Sequence, residues 1–298
     1  MKVAIVTTIR LLAVTTLYFG TFAVVSGALL ANVSPQPAPE EAGAALLALL
    51  VISLINAAVW SYVILRAGWT GWKLIAAIFF VFYGVTTLMP QIETAFFITS
   101  LPPGMLSRLF IAGAIMAAVF APLSILILGK ARSRAYGTAG WPRMSAGAWI
   151  VKLSLIVVVY VVIYFTFGYF IAWKSAAVRA YYGGRDPGSF FAQIASVLRD
   201  QPSLVLLQVA RALLWTAIAL PVIRMMRGKW WAAVAVGLLF AVTSLQLLLP
   251  NPLMPYDVRM AHLLETSTSN FLFGWLVVLI LTRFPKIVLR DAVGGLAG

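Results

Sequence analysis

Residues 255–283 read PYDVRMAHLLETSTSNFLFGWLVVLILTR. Only the twelve residues from Phe271 to Thr282 can face lipid freely. At about 1.5 Å per residue they cover roughly 18 Å of a ~30 Å hydrocarbon core. If Arg283 marks the cytoplasmic edge, a full span of about 20 residues reaches back to Leu263. Glu265, Thr266, Ser267, Thr268, Ser269 and Asn270 then lie at membrane depth, in the outer third. Helix formation satisfies their backbone, but their side chains need cover from other helices. The stretch therefore predicts a span that cannot stand alone, in a bundle that shelters its polar upper half.

The rest of the composition agrees. The chain has 298 residues, 62% hydrophobic and 10% charged, with a mean hydropathy of +0.99. A soluble domain is about a quarter charged, so this is an all-α polytopic membrane protein. Its length suits one transmembrane domain, 1–298, of about eight helices. The absence of cysteine removes disulfides, thiolate metal sites, iron–sulfur ligation and cysteine nucleophiles. A lone histidine, His262, excludes a multi-histidine metal site and a bis-histidine haem. No metal and no cofactor are expected.

A net charge of +14 raises the question of nucleic acid, but its distribution answers it. Most Lys and Arg fall at one end of the apolar stretches, for example Arg66, Lys73, Lys130, Lys152, Arg224, Lys229 and Arg283. Of the acids, only Asp291 joins them. That is the positive-inside pattern, which orients a membrane protein with both termini cytoplasmic. The bilayer, with its anionic inner leaflet, is the expected partner, and nucleic acid is not. Short loops and a compact chain point to a bacterial inner membrane.

Spans are predicted at about 11–32, 44–65, 73–93, 106–128, 149–173, 203–223 and 230–249, followed by the final helix. The first is too long for a signal-peptide core and lacks a good cleavage site, so it reads as retained. The basic loop 130–148 divides the chain into candidate halves, 1–135 and 145–298. A weak repeat accompanies them. In each half a Trp-containing inner turn starts a span that ends at proline (Trp72 to Pro90, Trp231 to Pro250), and a Glu-Thr pair follows, Glu93-Thr94 and Glu265-Thr266. Four spans per half would give the repeats the same orientation. The outer segment 174–202 is the longest. Ser189 reads as the cap of a short amphipathic helix with Phe190, Ile194 and Val197 on one face, an interfacial element or a lid.

Arg211 is the sharpest single signal, roughly 10 Å below the outer end of the sixth span. A centred arginine costs at least ~2.5–3.5 kcal/mol on the insertion scale, so it must face the bundle and find a partner. Gln208 shares its face. Two readings stay open: a site for a substrate or anion, or a structural ion pair with a buried carboxylate. Glu265 and Glu93 are the candidate partners, although Glu93 reads more simply as a rim pair with Arg108. On the last helix Arg259, His262, Thr266 and Asn270 form one stripe, with Glu265 beside it. His262 and Glu265, at i and i+3, suit either a base with its orienting group or two ligands of an incomplete metal site, while a histidine at this depth is more often a hydrogen-bonded packing residue. Tyr160 and Tyr164 are candidates to line the same space, with Tyr169 above. No phosphate loop, dinucleotide fingerprint or nucleophile elbow occurs.

Three functions fit these residues. The first is binding or transport of a small anionic or polar solute by Arg211, Gln208, Glu265, His262, Glu93, Asn270 and Arg259. The second is an embedded enzyme acting on a lipid or lipid-linked headgroup, with residues 174–202 as a lid. The third is a non-catalytic subunit of a homo-oligomer or larger membrane complex. Below Asn270 and Thr216 the last and sixth spans are apolar, which favours a one-sided pocket over a continuous path.

Overall fold

A computed structural model describes residues 2–33, 39–98, 101–132, 137–138, 144–183, 186 and 188–283. Residues 133–136 and 139–143 of the loop between the candidate halves lie outside them, as do Arg185 and every residue beyond Arg283, including Asp291. Among the described residues there is no strand, and eight helices are long and apolar enough to cross a membrane. They are Ile5–Leu30, Ala42–Arg66, Gly71–Phe97, Met105–Ile127, Ala146–Ala172, Pro202–Met225, Lys229–Leu248 and Tyr256–Thr282, called here the first to eighth spans. The end bearing most acids is called outer and the basic end cytoplasmic. The chain is thus an integral membrane protein built as an all-α helical bundle.

The spans start and stop where the residues require. Pro102-Pro103-Gly104 turns the chain into the fourth span, with Gly104 at φ 76°, a left-handed conformation that favours glycine. The first helix begins before its predicted start and carries Arg10 inside it. Arg10 Nη1 donates to the carbonyl of Leu128 at 3.4 Å, satisfying an end of the fourth span. Lys152 Nζ does the same for Leu281 of the eighth span at 3.0 Å.

Three spans are not regular throughout. The third and fifth contain π-helical turns at Gly84–Leu88 and Gly168–Ala172, and the seventh ends in a 3₁₀ segment, Val242–Leu248. A π-turn inserts one residue, so side chains beyond it are rotated by about 100° relative to an unbroken helix. For the third span this turns the stretch after Pro90 towards the sixth span. The outer segment forms two helices, Ala176–Tyr181 and Phe190–Asp200. Ser189 caps the second, accepting from Ala192 N–H at 3.2 Å. Phe190 seats it against Tyr169 and Phe170 of the fifth span.

Packing follows a regular scheme. The first span packs on the second and fourth, and the third on the fourth; the fifth packs on the sixth and eighth, and the seventh on the eighth. The third span also meets the sixth, and the seventh meets the second. At the cytoplasmic end an antiparallel bridge joins Ala67 to Met226, each the residue that closes its span. Glu93 lies on the third span and Glu265 on the eighth, so the two Glu-Thr pairs do not occupy equivalent places.

Candidate functional site

Arg211 is 2% exposed and Gln208 fully buried. Both project from the sixth span, one turn apart, and Arg211 Nη1 donates to Gln208 Oε1 at 2.9 Å. Arg211 Nη2 pairs with Glu93 Oε1 at 2.5 Å. The expected rim pair between Glu93 and Arg108 does not form; Arg108 Nη1 instead donates to the carbonyl of Leu29 at 3.2 Å. The reason is the π-turn below Glu93, which aims its carboxylate across the bundle at Arg211. The guanidinium also lies over the ring of Tyr160, 5.7 Å from its centroid, a favourable cation–π placement.

Glu265 is buried on the eighth span, within electrostatic reach of Arg211. It sits against Gly168, the first residue of the fifth span's π-turn, where a Cβ would stand 3.8 Å from its Oε1. Its Oε2 lies 2.9 Å from His262 Nδ1. The other ring nitrogen, Nε2, lies 3.3 Å from the hydroxyl of Tyr182, just beyond the first outer helix. Burial holds the Tyr182 phenol well above its usual range, and Tyr181, Glu265 and Glu93 push the same way. Tyr182 is therefore a neutral donor near pH 7. His262 thus bridges Tyr182 and Glu265 through its two ring nitrogens. Tyr164 lies within electrostatic reach of Glu265, Arg211 and Glu93, completing a cluster drawn from the third, fifth, sixth and eighth spans.

Two predicted members stand differently. Arg259 does not join the cluster. Its guanidinium donates to the carbonyls of Leu247, Leu249 and Met254 at 2.9, 2.5 and 3.2 Å, so it caps the frayed end of the seventh span. Asn270 is buried, and its Nδ2 has no hydrogen-bond partner among the described residues. The same holds for Gln208 Nε2 and Arg211 Nε. Tyr169 donates to the carbonyl of Gly188 at 2.6 Å and so ties down the outer segment rather than lining the cluster. Tyr182 was not signalled by the sequence, because nothing in its spacing marks it as a partner of His262.

Below the cluster the bundle is closed. Tyr160, Trp215, Phe240 and Phe273 are all buried, and Phe273 lies 4.6 Å from Tyr160, centroid to centroid. Trp215 lies 4.2 Å from Phe240. A cavity of about 480 Å³ lies elsewhere, at the cytoplasmic end between the third and sixth spans beside Trp69, Trp72, Lys73 and Arg224. No three His, Asp or Glu side chains converge among the described residues as a metal ion would require. Comparisons with family models, curated proteins and solved structures find no match for this chain.

Proposed function

We propose that the outer cluster binds a small polar solute that offers acceptor oxygens, in a bacterial inner membrane. The supporting observation is the pair of buried, unpartnered donors on the sixth span, Gln208 Nε2 and Arg211 Nε. Leaving a buried donor unpaired costs about 1–3 kcal/mol, and a ligand oxygen recovers it. Arg211 is already neutralised by Glu93, so an anionic solute has to displace that carboxylate, whereas a neutral one joins the pair. Two carboxylates, Glu93 and Glu265, lie within electrostatic reach of the one arginine. The closed aromatic floor supports a pocket open to one side, whether for capture or for the outward stage of transport.

One observation favours a second reading. The chain Glu265–His262–Tyr182 places an oriented imidazole at the outer surface, as general acid–base chemistry requires. An enzyme acting on a lipid-linked headgroup would use it. A thermal-shift screen of detergent-purified protein separates the readings. A ligand held at a hundred times its Kd adds about 2.7 kcal/mol. Stabilisation by phosphate, sulfate, small carboxylates or sugars, lost in both Arg211→Ala and Gln208→Leu, is the expected result. Stabilisation by headgroups alone, lost in His262→Ala but kept in Gln208→Leu, would move the enzyme reading to first place. No ligand effect would leave a structural subunit.

A further inference from the structure

The two sets of four spans share more than their packing scheme. In the second half, Tyr160, Trp215, Phe240 and Phe273 come one from each of the fifth to eighth spans. In the first half Tyr18, Trp60, Phe82 and Phe120 come one from each of the first to fourth, and all four are buried. Their rings make the matching contacts. Trp60 lies 5.1 Å from Phe82 and Tyr18 lies 5.8 Å from Phe120. Phe82 stacks on Phe120 as Phe240 stacks on Phe273. Arg10 precedes Tyr18 by the same interval as Lys152 precedes Tyr160, and each caps the last carbonyls of the matching span, Leu128 and Leu281. Around the tryptophans the sequences align without a gap, SLINAAVWS at 53–61 and QVARALLWT at 208–216. After the phenylalanines, FYGVTTL at 82–88 matches FAVTSL at 240–245 with one residue extra. That residue falls at the π-turn, which begins at Gly84.

In this alignment Ser53 stands for Gln208, and Asn56 for Arg211. The shorter Asn56 leaves open space where the second half has a guanidinium over a tyrosine ring. A cavity of about 50 Å³ is lined there by Tyr18, Asn56, Thr86, Thr87, Thr243 and Gln246, among others. Asn56 is 2% exposed, and its Nδ2 donates to Ile52, so its Oδ1 is a buried acceptor with no partner. Thr243 Oγ1 is also buried without a partner. Thr86 gives its proton to the Phe82 carbonyl and Gln246 gives an N–H to the Thr243 carbonyl. Thr86 Oγ1 also lies 3.5 Å from Thr87 Oγ1, and the threonine and glutamine oxygens keep lone pairs that a cation can share. Gly113 of the fourth span lets the Thr87 side chain in, since a Cβ there would collide with it.

We propose that the chain is a tandem duplication of a four-span unit, and that its first half, closed here by Thr243 and Gln246 of the seventh span, holds a second, uncharged site for a monovalent cation such as Na⁺. The cation takes the place that the Arg211 guanidinium fills in the second half. The ligand set is oxygens beside Tyr18, with no carboxylate lining the cavity. It therefore suits a single charge, since divalent ions are held by several acidic oxygens. The cavity admits one dehydrated ion or one or two waters.

The test is the melting temperature of the full-length protein in neutral detergent, titrated with sodium, potassium or choline chloride at matched ionic strength. Sodium or potassium is expected to raise it saturably by several degrees, and choline not. The rise should vanish in Asn56→Leu and in Thr243→Val, which removes a hydroxyl making no hydrogen bond. Asn56→Arg, carrying a tethered cation, should melt at one temperature in all three salts. Arg211→Gln should keep the sodium response. Equal melting of the wild type in all three salts would overturn the proposal and leave the cavity to water. So would a response that survives in both Asn56→Leu and Thr243→Val, because the ion would then bind elsewhere.

Discussion

Arg211 and Glu93 show how much one residue can depend on another inside a membrane. Arg211 is buried while the Glu93 side chain is 35% exposed, and breaking the pair leaves the buried guanidinium without its carboxylate. Glu93→Gln should therefore cost about 1–3 kcal/mol of stability, read as a lower unfolding midpoint in detergent. Arg211→Leu combined with Glu93→Leu should lie closer to wild type than either single change. Additive losses in that cycle would show that the two side chains do not interact. The cost of an arginine at its depth was legible in the sequence, since nothing but a bundle interior tolerates it. Its partner was not. Glu265 and Glu93 both lay near the outer third, with Arg108 competing for Glu93, and choosing between them required knowing that the third span is rotated by a π-turn.

Helix existence was legible because apolar length is a strong signal, whereas helix irregularity was not. The turns at Gly84 and Gly168 and the 3₁₀ end of the seventh span carry no hydropathy signature. They nonetheless decide where Glu93 points, what Glu265 rests against and which carbonyls Arg259 must cap. Close approach between spans is the other element-level feature, and it is set by small residues. A Cβ on Gly274 would stand 2.8 Å from the carbonyl oxygen of Val236 in the seventh span. Gly274→Ala should lower stability by about 1–3 kcal/mol through overpacking. Gly20→Ala, where nothing lies within 4 Å, should be neutral or slightly stabilising, as a helix interior favours alanine. Equal melting of Gly274→Ala and wild type would mean that the seventh and eighth spans are not so closely packed.

For the whole molecule, the account joins a polar cluster at one end to a closed apolar floor. Composition made the helical bundle readable, and the polar upper half of the last span, with Arg211 in the sixth, marked the candidates for the cluster. The convergence of four spans on it needed coordinates, because contacts between distant spans leave no local pattern. The chain has no cysteine, so single cysteines introduced one at a time can report where water reaches. The decisive measurement is labelling of Glu265→Cys, His262→Cys and Phe273→Cys in sealed, right-side-out vesicles with a membrane-impermeant maleimide. Glu265→Cys and His262→Cys, at the partly exposed top of the cluster, are expected to react from outside and to be slowed by a stabilising solute, and the fully buried Phe273→Cys is expected not to react from either side. Labelling of Phe273→Cys from outside, or of Glu265→Cys only from the cytoplasmic face, would contradict an outward pocket with a closed floor.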